Sequence, residues 1–243
     1  MHTYAIGDIH GHLSLLREVH DWIAKDMAEH GPAPIVHIGD LVDRGPDSRG
    51  VVEYLCEGRR QGQDWVVLKG NHDRMFTKYL IDMTDQDEGL RSDLSYLHPR
   101  IGGGTTLASY GVKNAADRPL AAVYAEAIAA VPPAHRRFLE ELPTSFVRGD
   151  AIFVHAGIRP GIALDQQSET DLLWIRKEFL DDPRDHGALI VHGHTAIERP
   201  MHYRNRVNTD SSAAYGGPLS AVVIIGRAAY NLTKTGRRPL LPV

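Results

Sequence analysis

Apolar positions in the first third of the chain follow two alternating rhythms. Short, largely apolar runs, Tyr4-Ala5-Ile6, Ile35-Val36-His37-Ile38 and Trp65-Val66-Val67-Leu68, read as buried strands. Between the first two, Leu13, Leu15, Leu16, Val19, Trp22, Ile23 and Met27 recur at helical spacing, and Gly31-Pro32 ends that helix. A second helix is predicted over about residues 47–59. Strand, helix, strand, helix, strand in that order predicts a parallel sheet with helices on its faces.

The pattern changes after residue 73. Met75, Phe76, Tyr79, Leu80 and Ile81 continue a helix, and the polar stretch Thr84–Ser92 reads as a loop or a frayed helix. The glycines Gly102, Gly103 and Gly104 permit unusual dihedrals, either to line a cleft or to form a tight connection. Helices are predicted over about 118–130 and from Pro133 to Leu142, so residues 74–142 are expected to form a helical insertion in a single domain spanning 1–243. From 144 onward strands dominate. Residues 144–147 and 151–154 flank Arg148-Gly149-Asp150 as a hairpin, and further strands are predicted at 188–191, 201–203, 219–225 and 228–232. This later group is expected to form a second sheet packed on the first, with a loosely ordered tail at Gly236-Arg237-Arg238-Pro239.

Composition narrows the function only a little. A chain of 243 residues can bury a sizeable core, and 42% apolar with 24% charged residues is ordinary for a globular protein. Lysine and arginine number 27 against 31 acidic residues, so the formal charge is 27 − 31 = −4. That argues against a nucleic-acid partner drawn by bulk positive potential. Cys56 is the only cysteine, so no internal disulfide can form, and its helical setting reads as a buried small hydrophobe. No run reaches transmembrane length and no signal peptide is visible, which predicts a cytoplasmic protein without a membrane partner. Oligomeric state is not specified by this pattern.

The chemistry collects where the three early strands end. Gly7-Asp8-Ile9-His10-Gly11, Gly39-Asp40-Leu41-Val42-Asp43-Arg44-Gly45 and Gly70-Asn71-His72-Asp73 each follow a strand. Ligands in open α/β sheets gather at such carboxyl ends. A lone aspartate after a strand is usually a cap or turn residue. Three glycine-bracketed segments delivering Asp, His, Asn and Arg together point instead to a metal site. Oxygen and imidazole donors without thiolates suit Mn²⁺ first, with Fe or Zn²⁺ as alternatives.

These segments resemble the three signatures of the metallophosphoesterases, in the phosphoprotein phosphatase branch and specifically the bacterial serine/threonine protein phosphatase type. The resemblance continues through Phe153-Val154-His155-Ala156-Gly157, Leu172-Leu173-Trp174-Ile175-Arg176 and His192-Gly193-His194-Thr195, in order over nearly the whole chain. It implies an α/β fold, a two-sheet sandwich flanked by helices. It also implies two divalent metal ions, with Asp8 and His10 on the first, Asp40 bridging, and Asn71, His155 and His194 on the second. A hydroxide bridging the metals would attack phosphorus. His72 would protonate the leaving oxygen, Asp43 would orient His72, and Arg44 and Arg176 would hold the phosphate, with Asn71 and His72 also touching substrate.

The resemblance has gaps. Asp73 stands where glutamate is commoner, Ser212 occupies a position usually held by glycine, and Lys69 replaces an arginine found in some relatives. His192 and His194 alternate in register, and the family match favours His194. His12 and His37 are read as structural, and the remaining histidines, from His2 to His202, are expected at the surface. The implied substrate is a phosphorylated protein or a small phosphoester. The competing readings are a dinucleoside polyphosphate hydrolase, such as one acting on diadenosine tetraphosphate, and a non-catalytic metal-bound scaffold.

Overall fold

The computed structural model describes residues 1–243. It contains two mixed sheets packed face to face between layers of helices, as the resemblance implied. The first strands and helices are β1 (Thr3–Ile6), α1 (Leu13–His30), β2 (Ile35–His37), α2 (Ser48–Arg60), β3 (Trp65–Val67) and α3 (Asn71–Asp82). α4 (Gly103–Ser109), α5 (Leu120–Ala130) and α6 (Pro133–Glu140) follow. Next come β4 (Ser145–Arg148), β5 (Ala151–Val154), α7 (Glu169–Trp174), α8 (Lys177–Leu180), β6 (Leu189–His192), β7 (Met201–His202) and β8 (Arg206–Asn208). The chain ends with β9 (Ala221–Ile225), β10 (Ala228–Thr233) and β11 (Gly236–Leu240).

The first sheet runs β11-β10-β9-β1-β2-β3 and the second β4-β5-β6-β8-β7. β1, β2 and β3 are parallel, as their helical crossovers require. β4 and β5 pair antiparallel as the predicted hairpin. Strand alternation divides the apolar side chains between two cores. Tyr4, Ile6, Ile35, Ala221 and Val223 face the helices, whereas Ala5, Val36, Ile38, Val222 and Ile224 meet Phe153, Leu189, Val191 and Val207 between the sheets. A one-residue slip of β1 would exchange Tyr4 and Ile6 with Ala5, so register is specified by both cores at once.

Four expectations need correction. β9 and β10 belong to the first sheet, because β9 returns antiparallel to β1. The tail is a strand: residues 236–240 pair with β10, and the Arg237 guanidinium binds the Asp26 carboxylate, which also accepts from the Tyr4 hydroxyl at 2.6 Å. β8 was not foreseen, since three residues beginning with arginine carry no apolar run. His20, His135 and His202 are buried rather than at the surface, each with a ring nitrogen hydrogen-bonded. Cys56 is half-buried against the helical core, with burial pushing its thiol up. No helix is long and apolar enough to cross a membrane.

Candidate metal centre and active site

Backbone geometry at the ends of β1, β2 and β6 is unusual. His10, Asp40, Asp43, Arg44 and His194 all have positive φ, between 45° and 71°. Such left-handed conformations cost roughly 1–2 kcal/mol per non-glycine residue and persist only where surroundings over-determine them. Here the loops are tied together: the Ile9 and His10 N–H groups donate to the Asp40 carbonyl at 3.1 and 2.7 Å, and Gly11 donates to Leu41 at 2.9 Å. A Cβ on Gly70 would lie 2.2 Å from the Asp40 nitrogen, so glycine is what lets the second and third loops touch. Asp73 completes this join by accepting from Leu41 and Gly70 N–H at 2.9 and 2.8 Å. The shorter carboxylate therefore fills a backbone-binding role.

The structure brings Asp8, His10, Asp40, Arg44, Asn71, His72, Arg176 and His194 to the wall of one cavity of about 570 Å³. His155 lies beneath it, fully buried. Ligand atoms of His10, Asp40 and His72 lie within 4.8 Å of one another, as do those of Asp40, His155 and His194. His155 Nδ1 is 3.0 Å from the Ile38 carbonyl, and His10 Nδ1 is 2.9 Å from that of Val42. Those carbonyls assign the proton to Nδ1, leaving each Nε2 as an acceptor. Burial keeps both imidazoles neutral by pushing them below the usual histidine range. Yet His155 Nε2 sits 2.9 Å from Asn71 Oδ1 and 3.4 Å from Asp40 Oδ1, and His10 Nε2 sits 3.4 Å from Asp40 Oδ2. Acceptors thus point at acceptors without a proton between them, and buried His194 Nε2 has no partner at all. Cations fit this donor set, and neutral imidazole is the form that binds them.

Carboxylates respond to the same crowding. Asp8 is pushed up, first by burial and then by Asp210 and Asp40, although both its oxygens accept from the His194 N–H. Asp210, for which the sequence suggested no role, is buried and lines the cavity. It follows β8, so the unrecognised strand concealed a fourth acidic strand end.

His72 Nδ1 is 2.7 Å from Asp43 Oδ2, which leaves only Nε2 free. Asp43 is fully buried, and its other oxygen accepts from the Tyr96 hydroxyl at 3.0 Å and the Thr106 hydroxyl at 2.7 Å. Burial and Asp43 push the Tyr96 phenol well above its usual range, so it remains a donor. Thr106 comes from α4, two residues after Gly104. Gly102, at φ 96°, would place a Cβ 2.4 Å from the Arg44 nitrogen. The glycine segment is therefore a close backbone approach that brings Thr106 under Asp43 and supports Arg44.

Arg44 Nη1 lies 3.2 Å from His10 Nε2, and its buried Nε has no partner. Arg176 is exposed, in the connection between α7 and α8 rather than inside a helix, and touches only Thr195 Oγ1, at 3.3 Å. Lys69 turns away from the cavity to the Glu140 carbonyl and the Glu169 carboxylate. Ser212 keeps a left-handed backbone at φ 68°, held by its N–H to Asp210 Oδ1 and its hydroxyl to the Ile197 carbonyl. His37 and His192 are buried and bonded elsewhere, to His20 and to Arg206.

The arrangement of acceptor clusters, paired acid and arginines is that of a metal-dependent phosphoesterase, and the chain belongs to the calcineurin-like phosphoesterase family, whose model matches residues 1–223. Among curated proteins it is 26% identical to the bis(5'-nucleosyl)-tetraphosphatase PrpE of Geobacillus thermodenitrificans, over 91% of this chain and 90% of the relative. It is 25% identical to serine/threonine-protein phosphatase 1 of Salmonella typhimurium, over 90% of each. Solved structures with the same fold include a candidate diadenosine tetraphosphatase, with TM-score 0.63, 22% identity and coverage of 99% and 94% of the two chains. A cold-active protein-tyrosine phosphatase of a Shewanella species superposes with TM-score 0.61 at 17% identity, covering 99% of this chain and 80% of that one.

Proposed function

We propose that this protein hydrolyses phosphomonoesters with two divalent metals, and that phosphoserine or phosphothreonine on a protein is its leading substrate. The observation that carries this reading is the convergence, in one cavity, of two cation-fitting acceptor clusters, the His72–Asp43 pair and two guanidinium groups. Asp8 and His10 would hold one metal, Asn71, His155 and His194 the other, and Asp40 both. When bound, the pair supplies Lewis acidity and water activation near neutral pH. Arg44 and Arg176 grip the phosphoryl oxygens with planar forks. His10 Nε2 has one lone pair, now facing Arg44 Nη1 at 3.2 Å, so if His10 held a metal Arg44 would be released to engage phosphate. His72 Nδ1–H stays bound to Asp43 while Nε2 delivers a proton to the leaving oxygen.

A second reading, hydrolysis of dinucleoside polyphosphates, is favoured by the cavity wall. Arg91, Arg159 and Lys177 join Arg44 and Arg176 there; Arg91 is paired with Asp93 and Arg159 with Asp171, so Lys177 is the further cation without a carboxylate partner. The names of the PrpE and phosphatase relatives cover both substrates. Parallel assays on a phosphoserine peptide and diadenosine tetraphosphate, after chelation and after Mn²⁺ refilling, test both readings. Chelated protein should be inactive on either substrate and Mn²⁺ should restore turnover. Full activity of verified metal-free protein would exclude this chemistry, and two bound metals without turnover would indicate a scaffold.

A further inference from the structure

Seventeen aromatic residues occur in the chain (9 Tyr, 5 Phe and 3 Trp), and Tyr215 alone is exposed, at 68% of its surface. It stands at the rim of the catalytic cavity, on a loop with little freedom. Ser212 and Gly216 are both left-handed at the two ends of its turn. The Tyr215 and Gly217 N–H groups donate to the Ser212 carbonyl at 2.9 Å each. The Ser211 hydroxyl donates to the Pro218 carbonyl at 2.7 Å, which anchors the base of the loop. An aromatic ring is thus held in water by a braced turn rather than left there by a loose one. The Arg44 guanidinium lies 5.1 Å from the ring centroid, so Tyr215 is also in contact with an arginine proposed to hold phosphate.

Beside this ring lies a second cavity of about 510 Å³, lined by Arg44, Leu94, Pro99, Arg100, Ile101, Gly102, Thr105, Ala214 and Tyr215. Arg44, Leu94, Ile101, Ala214 and Tyr215 line the catalytic cavity as well, so the two spaces adjoin along a shared wall. Its only ionisable side chains besides the tyrosine are two arginines, and no carboxylate faces it. A flat ring attached to an anionic linker suits such a lining: the ring stacks on Tyr215 among aliphatic walls while the arginines meet the charge.

We propose that Tyr215 and this side cavity form a leaving-group subsite that takes the base of a nucleoside phosphate. The proposal rests on the phosphoesterase reading and deepens its second substrate class. Base–aromatic stacking is worth about 1–3 kcal/mol, so Tyr215→Ala should lower kcat/KM for diadenosine tetraphosphate about 5- to 150-fold, mainly through KM. Tyr215→Trp should retain activity. The decisive quantity is the ratio of that loss to the loss on a phosphoserine peptide without aromatic residues, which should be about fivefold or more. AMP binding to the metal-loaded protein, followed by calorimetry, should weaken by the same factor. Equal losses on ring-bearing and ring-free substrates would make Tyr215 merely a support for Arg44 and overturn the subsite, as would unchanged AMP affinity in Tyr215→Ala. The phosphoesterase reading fails separately, through absence of turnover on every phosphoester by metal-loaded protein, and AMP calorimetry still decides the subsite in that case.

Discussion

Replacing His72 by asparagine tests the proton-transfer step most directly. The ring is held by one short contact, Nδ1 to Asp43 Oδ2 at 2.7 Å, and Asp43 is itself fixed by Tyr96 and Thr106, so Nε2 has a defined position before substrate arrives. A positioned general acid contributes roughly 10²–10⁴-fold, or about 2.7–5.4 kcal/mol at 1.36 kcal/mol per tenfold. That contribution depends on how badly the leaving oxygen needs a proton. A seryl alkoxide needs it, whereas nitrophenolate and a departing nucleotide phosphate leave readily without it. His72→Asn should therefore lose the full factor on a phosphoserine peptide and distinctly less on p-nitrophenyl phosphate. His72 shares the compass of the His10 and Asp40 ligand atoms, so metal content must be measured in the same preparation. Two metals retained with a leaving-group-dependent loss supports the acid. Loss of a metal would make His72 a ligand, and equal losses across leaving groups with both metals present would leave it as an electrostatic contact. Thr106→Val and Tyr96→Phe should reproduce the leaving-group dependence more weakly, since each removes one of the two hydroxyl donors to Asp43.

Other outcomes follow from neighbouring residues. Asp40→Asn should reduce bound metal below two per chain and abolish most turnover, because a neutral amide bridges two cations poorly; elemental analysis and kcat with excess Mn²⁺ check this, and normal values for both would refute the bridge. Arg176→Ala should keep both metals yet lower kcat/KM by about 10- to 1000-fold, roughly 1.4–4 kcal/mol. An unchanged kcat/KM would make Arg176 a surface residue. Outside the cavity lining, His20 Nε2 lies 3.0 Å from His37 Nε2, and burial lowers His20 to about 4 and His37 well below the usual range. The unfolded chain takes up these protons below about pH 6.5, so this contribution to stability is whole above that pH and is lost as pH falls towards 4. For His20 the span corresponds to about 3 kcal/mol at 1.36 kcal/mol per unit. Denaturant midpoints should therefore fall less steeply from pH 6.5 to 4.5 in His20→Leu than in the unmodified chain; identical slopes would refute the buried-pair argument.

Local pattern alone determined the amino-terminal half of the architecture. Apolar runs and helical spacing are short-range signals, and β1, β2, α2 and β3 each lie within one residue of where those signals place them, while α1 runs, as expected, up to Gly31. The candidate residues Asp8, Asp40 and Asn71 could be picked out for the same reason: they sit at strand ends punctuated by glycine, where chain direction dictates that side chains converge. Tertiary structure decided what depends on distant pairing. That β9 returns to β1 rather than to the second sheet is set by which face of Val222 and Ile224 meets Phe153 and Val191, a contact no local window contains. Arg237 turns a polar tail into an edge strand by reaching Asp26, 211 positions earlier. Thr106 is one threonine among many until α4 carries it beneath Asp43, and Asp210 is an ordinary turn acid until β8 aligns it beside Asp8. Exposure itself is invisible in composition: Tyr215 differs from the other tyrosines only because its braced turn leaves no core within reach.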